Sequence, residues 1–179
     1  MGWKTLKETF GIADHIVCVT EQGVCIGSVF VHNLIVVDPI TGVCNEPGGI
    51  KGLLAAKYPA LANAAPEEVL ACLQAQDTFS ASIPVYTTEN DQVVVKHCET
   101  PGWLNVTHDG LLMHQNVFSH DRSKVVAWLK TELQRDANQL ALSIAMKSGD
   151  IDADNQLLDS KRAKLAALEA EYPEIEPAI

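Results

Sequence analysis

The chain has no long apolar run. Its longest uninterrupted apolar stretches, such as Leu34 to Val37, span a few residues, whereas a bilayer crossing needs about 20. It has little arginine: Arg122, Arg135 and Arg162 are the whole set, all in the C-terminal third. No cluster of Lys and Arg is available to neutralise a row of phosphates, so neither nucleic acid nor an anionic membrane is an expected partner. Residues 1–10 carry Lys4, Lys7 and Glu8 among their apolar positions. They lack both the apolar core and the small-residue cleavage site of a secretory signal, and the protein is expected to stay in the cytosol. No Cys-x-x-Cys, His-x-x-x-His or His-Glu-x-x-His spacing occurs, and with those spacings go the familiar zinc patterns.

What is present is an ordinary globular composition. The 179 residues are 47% apolar and 20% charged, enough for one domain that buries roughly two thirds of its unfolded surface without a cofactor or a disulfide. Five cysteines, Cys18, Cys25, Cys44, Cys72 and Cys98, form an odd set scattered through apolar segments. They read as reduced, buried thiols of the core. The net charge of -10 is uneven: residues 1–118 hold five Lys and twelve acids, a balance of -7, and the rest hold -3. The acids are not gathered in runs, so they suit a solvated surface better than DNA mimicry.

The order of patterns predicts an α+β fold. Trp3, Leu6, Lys7 and Phe10 fall at helical spacing and end at Gly11. His15 to Thr20, a turn at Glu21-Gln22-Gly23 and Val24 to Val31 read as a hairpin. Leu34 to Val37, the turn Asp38-Pro39-Ile40-Thr41-Gly42 and Val43-Cys44 complete a first antiparallel meander. A short helical pair follows, from about Ile50 to Lys57 and from Pro66 to about Gln76, the second opened by Pro66 and the acids Glu67 and Glu68. A second meander of about four strands is expected from Ser80 to Thr87, Gln92 to Cys98, Trp103 to His108 and Leu111 to Phe118. Its turns would be Glu89-Asn90-Asp91, Thr100-Pro101-Gly102 and Asp109-Gly110.

Ser119 suits the N-cap of a helix from about His120 to Lys147, stopped at Ser148-Gly149. A second helix runs from about Ala153 to Glu171 and closes at Tyr172-Pro173. Two helices this long with a short link should fold back as an antiparallel hairpin. The expected organisation is one domain over 1–172, with a β-rich body over 1–118 and a helical hairpin over 119–172, and then an acidic tail over 173–179. Leu133, Leu140, Ile144, Leu158 and Leu165 offer an apolar stripe suited to homodimerisation.

Candidate chemistry is sparse. His97, Cys98, His108, His114, His120 and Asp121 are ligand types for zinc, but a two-residue Asp109-Gly110 loop would put His108 and His114 on opposite faces, and neighbours His97 and Cys98 diverge by alternation. Ser119-His120-Asp121 has the letters of a hydrolytic triad, yet consecutive helical residues splay apart by about 100°. Asp150, Asp152 and Asp154 alternate like a calcium loop, with Asn155 where glycine is needed and Lys161 where a bidentate acid belongs. The loop Asn45-Glu46-Pro47-Gly48-Gly49-Ile50-Lys51-Gly52 leads into a helix, and its N–H groups at Gly48 and Gly49, with Lys51, suit an anion. It has neither the Walker A nor the dinucleotide glycine pattern. Trp103, directly after a Pro-Gly turn, is placed for a binding surface.

No catalytic residue, metal or cofactor is expected. The function expected from this pattern is a non-catalytic, acidic binding protein, a dimer that acts as inhibitor, adaptor or accessory factor through protein contacts. A protein sequestering an anionic metabolite at residues 45–52 is the next reading, and a small Cys/His hydrolase in the second meander the third.

Overall fold

The computed structural model describes residues 1–146 and 151–175, and the side chains of Ile151 and Asp152 lie outside that description. The fold is α+β: a four-stranded antiparallel sheet, a two-stranded sheet and a packed pair of C-terminal helices. The chain forms two compact units, one of residues 1–83 and 96–114, the other of 84–95 and 115–179. Residues 84–95, the tip of the second hairpin, thus group with the C-terminal helices. Among the described residues no helix is long and apolar enough to cross a membrane.

In the first unit, helix α1 (Trp3–Thr9) has glycine at its N-cap, and so no side chain of its own to hold the first N–H groups. Asp77 does this from far along the chain, accepting the N–H groups of Lys4 and Thr5 at 3.0 and 2.7 Å and the Thr5 hydroxyl at 2.8 Å. Gly2 is needed for the approach: a Cβ there would lie 2.0 Å from the Cys72 carbonyl oxygen, and its N–H donates to Leu73. The sheet runs β1 (Ile16–Thr20), β2 (Gly23–Gly27), β3 (Ile35–Val37), β4 (Cys44–Asn45), each antiparallel to the next, with Cys18 facing Cys25. The central strand β2 is buried along its length. Trp3, Leu6 and Phe10 of the first helical segment join it in one core with Leu61 and Val69.

Strand β2 stops at Gly27, four residues short of the predicted end. The chain turns there, with Ser28 N–H donating to Val31 and a Cβ on Gly27 excluded by the Val31 carbonyl oxygen at 2.2 Å. The predicted helical pair is present as α2 (Leu53–Lys57) and α4 (Pro66–Gln74), with a further short helix α3 (Pro59–Asn63) between them. Pro59 causes the split, since it donates no N–H to the preceding turn and suits the start of a new one.

The second meander has two regular strands, not four. β5 (Ile83–Glu89) and β6 (Gln92–Cys98) close on Asn90 and Asp91, both with positive φ as a two-residue hairpin turn requires. Residues 103–118 make only isolated bridges, among them Val106 with Leu112. Their polar side chains bond locally: Asn105 Oδ1 accepts from Val106 N–H, and Thr107 Oγ1 accepts from Leu111 N–H. The turn holds three residues, 108–110, because Thr107 pairs with Leu111 and Gly110 takes φ 92°. The expected pairing of His108 with Leu111 is thus shifted by one.

In the second unit, α5 (Arg122–Met146) and α6 (Ile151–Glu171) lie antiparallel: Arg122 meets Glu171 at one end and Ser143 meets Asp154 at the other. The cap of α5 is Asp121, whose Oδ1 accepts from Ser123 N–H, rather than Ser119. Ser119 is committed elsewhere, exchanging both backbone hydrogen bonds with Tyr86. Asp91 at the hairpin tip sits 2.9 Å from Lys161 and 2.7 Å from Lys164, which hold its carboxyl below the usual range. Lys130 is buried, and its ammonium donates to the carbonyl oxygens of Tyr172 and Ile175 just beyond α6. The Ser148-Gly149 stop and residues 176–179 of the expected tail lie outside the described residues.

Lys4 extends the α1 anchor by bonding Glu99 at 2.8 Å. That bond, helped by the Ser80 N–H and hydroxyl, lowers the Glu99 carboxyl from 4.5 to about 2. A lowered acid stabilises the fold above its ordinary value and ceases to do so as pH falls through its folded value. The urea midpoint should therefore decline from about pH 4.5 down to about 2. Glu99→Gln should flatten that decline, and an unchanged acid limb would refute the assignment.

Candidate functional site

The first unit holds a cleft of about 410 Å³ with a mixed polar and apolar lining. One wall is the start of β1 with His15 and Ile16; another is Ser28 and Val29 just past β2; a third is Leu104 to Val106; Trp3 and Lys7 of α1 form the floor. The register Ile16 opposite Gly27 explains why the first two walls meet. Alternation would carry β2 onward, but Gly27 turns the chain and leaves Val29 facing the cleft with Phe30 beyond it.

Phe30 is 93% exposed, the most exposed large apolar side chain of the described residues. Leu104, which lines the cleft, is 43% exposed, and Trp103, the residue before it in the chain, 52%. Leu104 also holds φ 67°, a left-handed conformation that costs a bulky residue on the order of 1 kcal/mol or more. Two of the loops that line the cleft thus carry a large side chain left in water beside a lining residue, Phe30 after Val29 and Trp103 before Leu104.

The polar groups of the cleft are mostly satisfied. His15 Nδ1 and the Tyr58 hydroxyl share a hydrogen bond of 2.5 Å, with the rings edge to face. Burial, and then the charge of Asp14, pushes the Tyr58 hydroxyl above its ordinary value. Asp14 faces Lys57 at 3.8 Å, Ser28 Oγ accepts from Val31 N–H, and Asn105 bonds Val106 and Thr100. The Lys7 side chain has no ion pair or hydrogen bond among the described residues, although the residue is half-buried. The arrangement orients no nucleophile. It offers apolar walls, one ammonium and a rigid His15–Tyr58 pair.

The glycine loop is differently built. Glu46 turns back into it and accepts the N–H groups of Gly52 and Leu54 at 2.8 and 2.5 Å, so the chain's own carboxylate occupies the donors at the start of α2. Those bonds, Leu54 first, lower its carboxyl from the ordinary value. Gly48 packs on Leu34, where a Cβ would stand 2.8 Å from Cα; Gly49 has φ 80°; Lys51 is exposed. Of the sequence-predicted ligand residues, Gly48, Gly49, Lys51 and Trp103, none lines the cleft, and Trp103 precedes the lining residue Leu104 in the chain. Leu133 and Leu158 of the apolar stripe are buried within the second unit, while Leu140, Ile144 and Leu165 are half-buried. Leu142 and Met146 are the exposed apolar residues of α5, at 65% and 86%.

Among the described residues no group of three His, Cys, Asp or Glu side chains is placed to hold a metal ion. The His108 ring stacks on Phe79 at 3.8 Å and its Nε2 meets the Ala81 carbonyl oxygen at 3.1 Å, and His120 Nδ1 meets that of Pro84 at 3.0 Å. Asp150 and the Asp152 side chain lie outside the described residues, and Asp154 accepts from Ser143. Phe30 and Lys7 escape a reading of local patterns. Gly27-Ser28 was the one local signal of the turn that exposes Phe30, and nothing near Lys7 in sequence marks its place in a cleft.

Comparison of the chain with protein-family models, curated proteins and solved structures finds no match.

All five thiols are free, and Cys18, Cys25, Cys72 and Cys98 are buried. Burial pushes the Cys18 thiol, aided by Cys25, and the Cys44 thiol up to about 11. The thiolate is the reactive form, so the native protein should react slowly with a disulfide-exchange reagent at about pH 8. All five should react once it is unfolded. Rapid native labelling at Cys18 or Cys25 would contradict this placement.

Proposed function

We propose that the chain is a cytosolic, non-catalytic binding protein, an inhibitor, adaptor or accessory factor, that docks a partner protein on the rim of the cleft at Phe30, Trp103 and Leu104. The observation that carries the reading is Phe30, 93% exposed at the tip of a turn held by two hydrogen bonds. Leaving a phenyl ring in water forgoes about 25 cal/mol for each Å² it would otherwise bury. A rigid turn presents it without the entropy cost of ordering a loop on binding. Aromatic anchors beside a recess are the usual energetic centre of a protein interface.

Two other readings have less support. An anionic ligand at residues 45–52 would have to displace Glu46 from the N–H groups it already bonds. A Cys/His hydrolase needs an accessible thiolate near a histidine, and burial holds Cys25 and Cys98 toward the thiol. Homodimerisation remains part of the proposal. Its natural face is the exposed side of α5, where Leu142 and Met146 stand in water and Glu132 and Arg135 pair with each other at 3.8 Å, so two copies of an acidic chain would meet there without opposing like charges.

Phe30→Ala and Trp103→Ala should each weaken capture of partners from the native cell by at least about 2 kcal/mol, the scale of an interface anchor, while leaving the thermal midpoint within error. Unchanged capture by the double variant would refute the docking rim. Light scattering should give a dimer for the natural chain and a monomer for Leu142→Glu; a monomeric natural chain would remove the dimer from the proposal.

A further inference from the structure

The unpaired Lys7 carries an inference that rests on the docking reading and specifies what enters the cleft. Lys4, Lys57 and Lys96 of the same unit each face a carboxylate, at 2.8 Å from Glu99, 3.8 Å from Asp14 and 2.9 Å from Asp109. Lys7 has none among the described residues, yet it is half-buried on the cleft floor among Trp3, Ile16, Val29 and Leu104. Its position in the last turn of α1 brings it a helix dipole, worth only about 0.3–1 kcal/mol. An ammonium partly removed from water beside apolar walls is stabilised by an incoming carboxylate more than one in bulk solvent is. The carboxylate of Asp14 is 71% exposed and turned to Lys57, so it leaves that role open.

We propose that the cleft receives the C-terminal residue of a partner chain, its terminal carboxylate on Lys7 and a large apolar side chain against Ile16, Val29 and Leu104. A C-terminal residue carries its carboxylate and an apolar side chain on the same carbon, and one such residue fits a recess of about 410 Å³. An internal Asp or Glu brings the charge without the apolar group. Residues preceding the terminus would pass over Phe30 and Trp103, which joins the anchors and the cleft in one site.

The minimal probes are N-acetyl-phenylalanine and N-acetyl-leucine, compared with their carboxamides and with octanoate, titrated into the full chain and read by amide chemical shifts. The free acids should shift the amides of Lys7, His15 and Ser28 and bind about tenfold more tightly than the carboxamides, the equivalent of one charge-assisted hydrogen bond. Lys7→Met should erase that preference and Lys7→Arg should keep most of it. Equal binding of acid and amide, octanoate as strong as the acetylated residues, or no shift at the cleft up to millimolar concentration would each overturn the inference. Loss of partner capture in Phe30→Ala together with any of those results would leave the docking rim standing and remove only the carboxylate.

Discussion

The first unit is organised by the close approach of Gly110 to β1 and α1. Its carbonyl oxygen accepts the Val19 N–H at 2.7 Å, and a side chain there would begin 2.2 Å from a Val19 methyl carbon and 3.2 Å from the Trp3 ring. Trp3 Nε1 adds a hydrogen bond to the neighbouring His108 carbonyl oxygen. Only glycine permits this contact, at a φ that glycine also tolerates. With the 108–110 turn seated, Thr107 pairs with Leu111, and Leu104 to Val106, the residues before it, line the cleft.

The polar chemistry of the same unit is almost entirely turned inward. Asp77 caps a helix about 70 residues away, Glu46 caps another, Glu99 holds Lys4, and Tyr58 holds His15. No buried side-chain nitrogen or oxygen of the described residues lacks a partner. The large side chains left in water lie at the surface of the same unit. Exposed Phe30, Trp103 and Leu104 lower solubility and forgo burial.

The parts legible in the sequence were those governed by neighbours in the chain. The hairpin through Thr20 and Gly23, the Asp38 turn whose carboxylate accepts from Ile40 and Thr41, the Asn90-Asp91 turn and the long C-terminal helices all follow from local preferences. The differences arise where a distant backbone intervenes. Apolar residues continue past Gly27, and alternation alone cannot see that the Val31 and His32 backbone takes the place of a Cβ there. Ser119 is a good cap by type, but Tyr86 claims its backbone and leaves the role to Asp121. Of the residues lining the cleft, none is singled out by its neighbours in the chain. The pairing of His15 with Tyr58 and the isolation of Lys7 depend on elements brought together only by folding.

Lys130 sets a mechanical limit on the second unit. Its ammonium is sunk beneath the surface and satisfied only by carbonyl oxygens where α6 ends. Sliding α6 along α5 by one turn would move those oxygens about 5.4 Å and strand a charge in the interior, at a cost of roughly 3–5 kcal/mol. The lysine acts as a detent: it gives the helical pair one stop position. The observed position of α6 along α5 is thereby set apart from one displaced by a turn, since it is the one that meets the lysine's charge with those two oxygens.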